Sequence, residues 1–290
     1  MSGETFLNHR IKQAAEHERL VSGSDDPMVS LISVEVNVMD ACNRECGFCP
    51  HSNQEIYPNR YDWKMSTSTA EALAGQLACI QFKGRISISG YGEPLLSKDI
   101  YRHIQIFRAA LPNNAIEMNT NADMLNSDRV GMLFDAGLSQ IYINLYDGEH
   151  QVDLINQMFN ETGRDRYVLR RHWAPEENFG LILNNRSGIV NPTKQAMNKR
   201  CHYPFYKMFV DWNGNVQFCA NDWGRNIIVG NILDSPVQAI WMSDQMKAIR
   251  LRLAAGDRSQ KPCNSCDIDG TLHSQFSFDA LMAYYGQKVE

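Results

Sequence analysis

Residues 31–49 read LISVEVNVMDACNRECGFC. The first part, Leu31 to Val38, alternates branched apolar residues with smaller or polar ones, the period-two pattern of a strand. A loop follows in which Cys42, Cys46 and Cys49 are spaced C-x3-C-x2-C. Three thiolates on one short loop can hold three irons of a four-iron, four-sulfur cluster and leave the fourth iron open. An open metal position can bind a small molecule, as on a catalytic zinc. Zinc is the alternative here, because three thiolates plus one imidazole form a structural zinc site and His51 stands nearby.

Outward from this loop, strands and helices alternate. Ser66 and Thr67 can cap a helix running through Leu73 and Leu77 to Cys79. A strand over Arg85 to Ser89 ends in Gly90-Tyr91-Gly92-Glu93-Pro94. A helix from Ser97 through Phe107, a strand from Ala115 to Asn119 and a helix from Ser127 to Ala136 come next, with Gly137 suited to the helix end. A strand over Gln140 to Leu145 precedes a helix near Gln151 to Phe159, then strands near Tyr167 to Arg171 and Gly180 to Leu183. This order predicts a parallel α/β unit with its chemistry on loops at the strands' C-terminal ends. Both the cysteine loop and the Gly90–Pro94 segment lie there. A thin apolar stripe over residues 4–21 predicts a largely polar N-terminal helix.

The pattern changes near residue 195. Tyr206 to Val210 and Val216 to Ala220 flank Asp-Trp-Asn-Gly-Asn, a hairpin signal. A helix over about Pro236 to Ala254, a loop with Cys263 and Cys266, and a helix over Gln275 to Tyr285 follow. The expected division is an extension over 1–30, an α/β unit over 31–195 and a small region over 196–290. Cys201, Cys219, Cys263 and Cys266 belong to that last region, spaced C-x12-G-x4-C and C-x2-C. Four thiolates can close either a tetrahedral zinc site or a fully ligated cluster, and the ligand set does not separate the two.

Composition narrows the class. With 43% apolar and 21% charged residues the chain is globular rather than disordered. A net charge of −5 gives no support to binding driven by nucleic-acid phosphates. No uncharged apolar run approaches about 18 residues, and no signal peptide is evident, so neither a membrane nor an oxidising compartment is expected. Eight cysteines in 290 residues are too sparse for a disulfide scaffold, so reduced thiols in the cytoplasm, used for metal or catalysis, are the expectation.

The ordered motifs resemble the radical S-adenosylmethionine (SAM) superfamily. The resemblance rests on C-x3-C-x-aromatic-C after the first strand, on Gly90–Pro94 after the second, on Asn119-Thr120-Asn121-Ala122 after the third, and on Asn144 ending the fourth. It implies a partial (β/α)6 TIM-like barrel and an open iron that chelates SAM. Phe48 would lie beside the adenine. Gly90, Tyr91, Gly92 and Glu93 would serve the methionine end, Asn119 and Asn121 the ribose, and Asn144 a further contact. Tyr91 and Ala122 stand where the family pattern commonly has glycine. The C-x12-G-x4-C and C-x2-C arrangement is similar to the opening of the SPASM extension. It is cut short in the manner of a twitch domain (β-hairpin plus helix), since no Cys follows Cys266. That likeness implies one auxiliary [4Fe-4S] cluster on Cys201, Cys219, Cys263 and Cys266, beside the SAM-binding [4Fe-4S] cluster on Cys42, Cys46 and Cys49.

The layout resembles the family's aminocyclitol dehydrogenases. This implies a two-electron oxidation of a small polar metabolite such as a sugar or aminocyclitol, with the auxiliary cluster accepting an electron and a flavodoxin- or ferredoxin-type protein as external donor. Arg170, Arg171, His172, Glu176 and Arg186 are the candidates for managing the hydroxyl proton, with Arg186 foremost because Asn184–Gly188 is similar to a linker motif before the auxiliary cysteines. A peptide-modifying enzyme that forms thioethers or crosslinks, a redox-neutral epimerase or dehydratase, and a non-enzymatic zinc module are the competing readings. Only about 30 residues precede the first strand, too few for a recognition domain of its own, which disfavours the peptide reading. The remaining cysteine, Cys79, is expected to be a buried core thiol, with a hydrogen-atom donor as the sharper alternative.

Overall fold

A computed structural model of the chain describes residues 4–22, 24, 26–173, 184–190 and 197–287. Strand β1 (Glu4–Thr5) leads into helix α1 (Phe6–Val21), followed by β2 (Ser33–Val36) and a small ribbon of β3 (Met39–Asp40) with β4 (Arg60–Lys64). Next come α2 (Thr67–Cys79), β5 (Arg85–Ile88), α3 (Ile100–Ala110), β6 (Ile116–Thr120), α4 (Ser127–Asp135), β7 (Gln140–Leu145), α5 (His150–Thr162) and β8 (Tyr167–Arg171). The C-terminal region holds α6 (Tyr203–Tyr206), β9 (Lys207–Val210), β10 (Asn215–Gln217), β11 (Ile228–Asn231), α7 (Val237–Trp241), α8 (Asp244–Ala254) and α9 (Gln275–Tyr284).

One nine-stranded sheet runs in the order β1-β8-β7-β6-β5-β2-β9-β10-β11. The pairs from β8 through β2 are parallel, as the alternation of strands and helices predicts. The hairpin strand β9 continues this series, pairing parallel to β2 with Val34 opposite Met208 and Val36 opposite Val210. The sheet therefore runs from the α/β unit into the C-terminal region without a break.

The period-two alternation of each strand sorts its side chains. Val34, Val36, Ile86, Ile88, Ile116, Met118, Ile141 and Ile143 are buried in the apolar core with Leu73, Leu77, Phe107, Leu133 and Phe159 of the helices. The alternate positions, Glu35, Ser87, Glu117, Asn119, Tyr142 and Asn144, line a cavity inside the curve of the sheet. A sheet filled by side chains would carry apolar residues at these positions. The polar choice here leaves an open chamber with a polar lining.

Several expectations are corrected. The expected helix over 236–254 is two helices, because Ser243 is extended and its hydroxyl caps the Met246 N–H at 3.2 Å, starting α8 afresh. The second hairpin strand stops at Gln217 rather than Ala220, and the chain then turns with the Asn221 N–H directed at Cys219 Sγ. Cys79 is exposed at the end of α2 and does not line the chamber, so it is neither a core thiol nor placed as a hydrogen donor. The β3–β4 ribbon, β1 and β11 had no clear sequence signal. The strand expected over Gly180 to Leu183 lies outside the described residues.

Candidate active site

A cavity of about 390 Å³ opens at the C-terminal ends of the parallel strands, and Cys42, Cys46 and Cys49 line its rim. The loop that carries them is held from several sides. The Cys42 N–H is donated to Asn59 Oδ1 at 2.8 Å, and the Cys49 N–H to the Cys46 carbonyl at 2.8 Å. Cys42 Sγ faces the Arg44 N–H at 3.5 Å and Asn121 Nδ2 at 3.8 Å. Burial pushes the Cys42 thiol up to about 12 and raises Cys46 and Cys49 as well. Three such thiols gathered on one cavity want a cation, and N–H groups aimed at sulfur are the setting of an iron–sulfur cluster. His51, two residues after Cys49, is fully buried, its Nε2 bonds the Tyr91 carbonyl at 2.9 Å, and its ring packs edge-on against Tyr57, while its Nδ1 has no hydrogen-bond partner.

The Gly90–Pro94 segment fits against the strand that feeds the cysteine loop. Gly90 has φ +136°, and a Cβ on Gly92 would stand 2.3 Å from the Met39 carbonyl oxygen. Glu93 is buried and joins two motif segments. Its Oε1 accepts from the Leu95 N–H (3.0 Å) and the Thr120 hydroxyl (2.7 Å), and its Oε2 from the Asn121 N–H (2.8 Å). Burial still pushes this carboxyl above its usual range. Ala122, where glycine is common, takes the left-handed φ of +62° that such a glycine serves. Phe48, Gly90, Tyr91, Gly92, Glu93, Asn119, Asn121 and Asn144 all line the cavity, so folding brings together every residue of the expected SAM contact set. The Phe48 ring is parallel to that of His172 at 5.8 Å, and Tyr146 stacks on His172 at 4.6 Å. These three rings form one aromatic layer, of which sequence reasoning named Phe48 as a ring contact and overlooked Tyr146.

The other four cysteines also converge. Cys201, Cys219, Cys263 and Cys266 line a second, small cavity with Phe218, Leu253 and Ile268. Burial pushes Cys201 and Cys263 up to about 11, Cys219 well above its usual value, and Cys266 upward. Arg258 stands by this set, its guanidinium donating to the carbonyls of Lys199, Arg200 and Ile268. Among the described residues, no three His, Cys, Asp or Glu side chains are arranged to hold a single metal ion.

Residues 36–171 match the radical SAM superfamily, and residues 201–267 match SPASM, an iron–sulfur cluster-binding domain. The chain thus carries a radical SAM domain followed by a SPASM domain. Cys42, Cys46 and Cys49 fall in the first matched segment, and Cys201, Cys219, Cys263 and Cys266 in the second. Among its relatives is the S-adenosyl-L-methionine-dependent 2-deoxy-scyllo-inosamine dehydrogenase of Niallia circulans, 29% identical over 246 residues, which are 83% of this chain and 94% of that one. The crystal structure of BtrN in complex with AdoMet and 2-DOIA is similar with a TM-score of 0.71 at 26% identity, over 84% of this chain and 96% of that one. Native anSMEcpe with bound AdoMet shares the fold, with a TM-score of 0.54 at 12% identity over 88% of this chain and 97% of that one. The matched families bind SAM and iron–sulfur clusters, and the convergent thiols and motif residues fit both.

Within this radical SAM cavity the proton-handling candidates separate. Arg170, His172 and Arg186 line it. Arg171 turns outward and pairs with Glu149 at 3.0 Å on the surface, which removes it from the set. Glu176 lies outside the described residues. His172 is held down to about 3, first by burial and then by the charges of Arg170 and Arg186, so its imidazole is neutral at ordinary pH. Arg186 sits at a left-handed φ of +49°, with its guanidinium 5.6 Å from the Trp223 ring and its Nε buried without a hydrogen-bond partner. An orphaned buried donor beside a cavity is a group waiting for an acceptor. The chamber's lower wall, missed in sequence, carries two ion pairs, Glu35–Lys207 at 2.6 Å and Arg85–Glu117 at 3.4 Å. Their signal was the charged residue at alternate strand positions, as in Val34-Glu35-Val36.

Proposed function

We propose that this enzyme oxidises a hydroxyl of a small polar metabolite, an aminocyclitol or sugar, to the ketone, using two [4Fe-4S] clusters. The observation that carries the reading is the polar chamber itself. It is bounded by a three-thiol loop that would leave one iron of a bound cluster open, by Arg186, and by strand-borne polar side chains suited to hydroxyl and ammonium groups. The similarity to a dehydrogenase of an aminocyclitol, over most of both chains, supports the substrate class. Cys42, Cys46 and Cys49 would hold the SAM-binding cluster, and Cys201, Cys219, Cys263 and Cys266 the auxiliary one.

When bound, these groups supply a 5′-deoxyadenosyl radical that removes the carbinol hydrogen atom and an acceptor for the remaining electron; the hydroxyl loses a proton. The chain's own residues do the rest. Phe48, Tyr146 and His172 offer a flat surface for the adenine. Asn119, Asn121 and Asn144 offer amides for ribose hydroxyls. Arg186 cannot give up its own proton. Its charge would instead face the substrate hydroxyl and stabilise the oxygen as its proton passes to bulk water. The Glu35–Lys207 and Arg85–Glu117 pairs present charged groups to a polar substrate from the chamber wall.

A cytoplasmic site and a flavodoxin- or ferredoxin-type donor belong to the same proposal. The described residues contain free thiols throughout and no helix long and apolar enough to cross a membrane.

Anaerobic reconstitution followed by iron analysis and assay with 2-deoxy-scyllo-inosamine tests the proposal. About eight irons per chain are expected. Replacing Cys42, Cys46 and Cys49 with Ala should abolish deoxyadenosine formation. Replacing Cys263 and Cys266 with Ala should leave about four irons and, at saturating SAM, keep deoxyadenosine formation while ketone formation is lost. Stoichiometric zinc, about four irons in the unaltered chain, or SAM cleavage without oxidation of any aminocyclitol or sugar tried would overturn it.

A further inference from the structure

We infer that Tyr91 is a positioning residue that ties the SAM-binding motif to the auxiliary-cluster segment, so that the two thiol sets are geometrically coupled through one side chain. The inference rests on the proposal that each set holds a cluster.

The main chain of Tyr91 belongs to the first site. It lies between the two glycines of the motif, its N–H is donated to Asn37 Oδ1 at 3.0 Å, and its carbonyl accepts from His51 Nε2 at 2.9 Å. His51 stands two residues after Cys49. The side chain of Tyr91 belongs to the second. Its ring is 2% exposed and lies 4.5 Å from Trp223 and 4.7 Å from Phe209. Its hydroxyl is 2.6 Å from Gln217 Oε1 on β10 and 2.8 Å from the Asp222 carbonyl, three residues past Cys219. The aromatic group of Tyr57, Tyr91, Phe209 and Trp223 touches Cys49 on one side and Ala220, the neighbour of Cys219, on the other. It is a packed bridge from a ligand of one set to the residue beside a ligand of the other.

A second connection runs in parallel and fixes the same ring. The Arg225 guanidinium lies 4.8 Å from the Tyr91 ring. It donates at 2.6 Å to Asp40 Oδ1, two residues before Cys42, and at 2.6 Å to Asp211 Oδ2 at the end of the hairpin strand. Asp40 is fully buried, so its pairing leaves the chain little freedom there. A glycine in place of Tyr91 would supply the motif's backbone and none of this crossing. Interdigitated rings in a dense interior shift together rather than one at a time. Disturbance of the auxiliary loop is therefore felt at the SAM site through Tyr91.

A double-substitution cycle tests the coupling. In the reconstituted holoenzyme, SAM affinity is read from the change in the electron paramagnetic resonance spectrum of the reduced three-cysteine cluster. It is measured with and without the pair Cys263→Ala and Cys266→Ala, and iron is counted in each sample. With Tyr91 present, loss of the auxiliary cysteines should weaken SAM binding about tenfold. With Tyr91→Gly the same loss should change it less than about twofold, and Tyr91→Phe should fall between, since it keeps the ring and loses the hydroxyl contacts. Equal weakening in all three backgrounds overturns the inference. Should Tyr91→Gly not fold, Tyr91→Phe decides, and an unchanged ratio in it overturns the inference equally. About four irons in the unaltered chain would instead defeat the two-cluster proposal, an outcome distinct from uncoupled behaviour in a chain with about eight.

Discussion

Arg44 and Asp123 are joined by two hydrogen bonds, Nε to Oδ2 and Nη2 to Oδ1, each of 2.6 Å. The same guanidinium holds Asp147 at 3.0 and 2.7 Å. One side chain within the C-x3-C spacing thus anchors the cysteine loop to the loops after β6 and β7. A lysine cannot reproduce this planar double fork. Arg44→Lys should fold with Tm lowered by about 2–4 °C, in keeping with a bidentate pair near the surface. It should weaken SAM binding about tenfold, because the loop gains freedom. Calorimetry and SAM titration check this; unchanged SAM affinity would count against an anchoring role.

Gly92 and Gly75 are expected to respond oppositely to alanine. A Cβ on Gly92 meets two carbonyl oxygens at 2.3 and 2.4 Å, from Met39 and Ala41, and these are backbone atoms that cannot step aside. Gly92→Ala should displace the cysteine loop and yield protein that retains little iron. A Cβ on Gly75, in the middle of exposed α2 surface, meets nothing within 4 Å. Gly75→Ala should stabilise the fold by about 0.5–1 kcal/mol. Thermal melts and iron analysis of the two proteins measure both halves.

His172 gives a pH dependence with a definite sign. Its folded value is held down to about 3 by burial and by Arg170 and Arg186. The unfolded chain takes up that proton near pH 6.5, where imidazole ordinarily titrates. Between about 6.5 and 3 the unfolded state binds more protons, so stability falls as the pH falls through this window. His172→Gln should flatten the decline in urea midpoint between pH 6.5 and 4.5. Some slope should persist, since burial lowers His103 in the same direction. An identical slope in both proteins would refute the assignment.

Arg250 is expected to be among the costliest positions. It is fully buried, lies 4.1 Å over the Trp241 ring, and donates to the carbonyls of Pro204 and Trp241 and to the Tyr285 hydroxyl. Arg250→Met would keep much of the volume and leave two buried carbonyls unpaired. A loss of about 3 kcal/mol or more in urea unfolding is expected. A loss below about 1 kcal/mol would mean the region relaxes around the gap.

The legible part of this protein was its ordered motifs and its apolar faces. Cys42, Gly92 and Asn121 follow strands and Asn144 lies near the end of one, and their likeness to ordered family motifs made them legible. What stayed hidden depends on contacts between distant segments. Met39–Asp40 is too short for any periodic signal, yet it pairs with Arg60–Lys64 and carries the carbonyl that excludes a side chain at position 92. Cys79 lies among apolar neighbours in sequence, but the helix turns it outward at its last residue. Ser243 reads as one more polar residue in a helical run until its hydroxyl is seen to begin a new helix. The role of Tyr91 could be named as a departure from a pattern but not understood, because its partners are about 120 or more residues away in the chain.

The parallel pairing of β9 with β2 has a consequence for dissection of the chain. A fragment ending before residue 200 would strip β2 of its neighbour and expose the unmatched N–H and carbonyl groups along its four residues. Such a margin invites other copies of the fragment to pair along it. The SPASM region is thus also the guard that keeps this sheet from polymerising, and a shortened enzyme should be sought among aggregates rather than in solution.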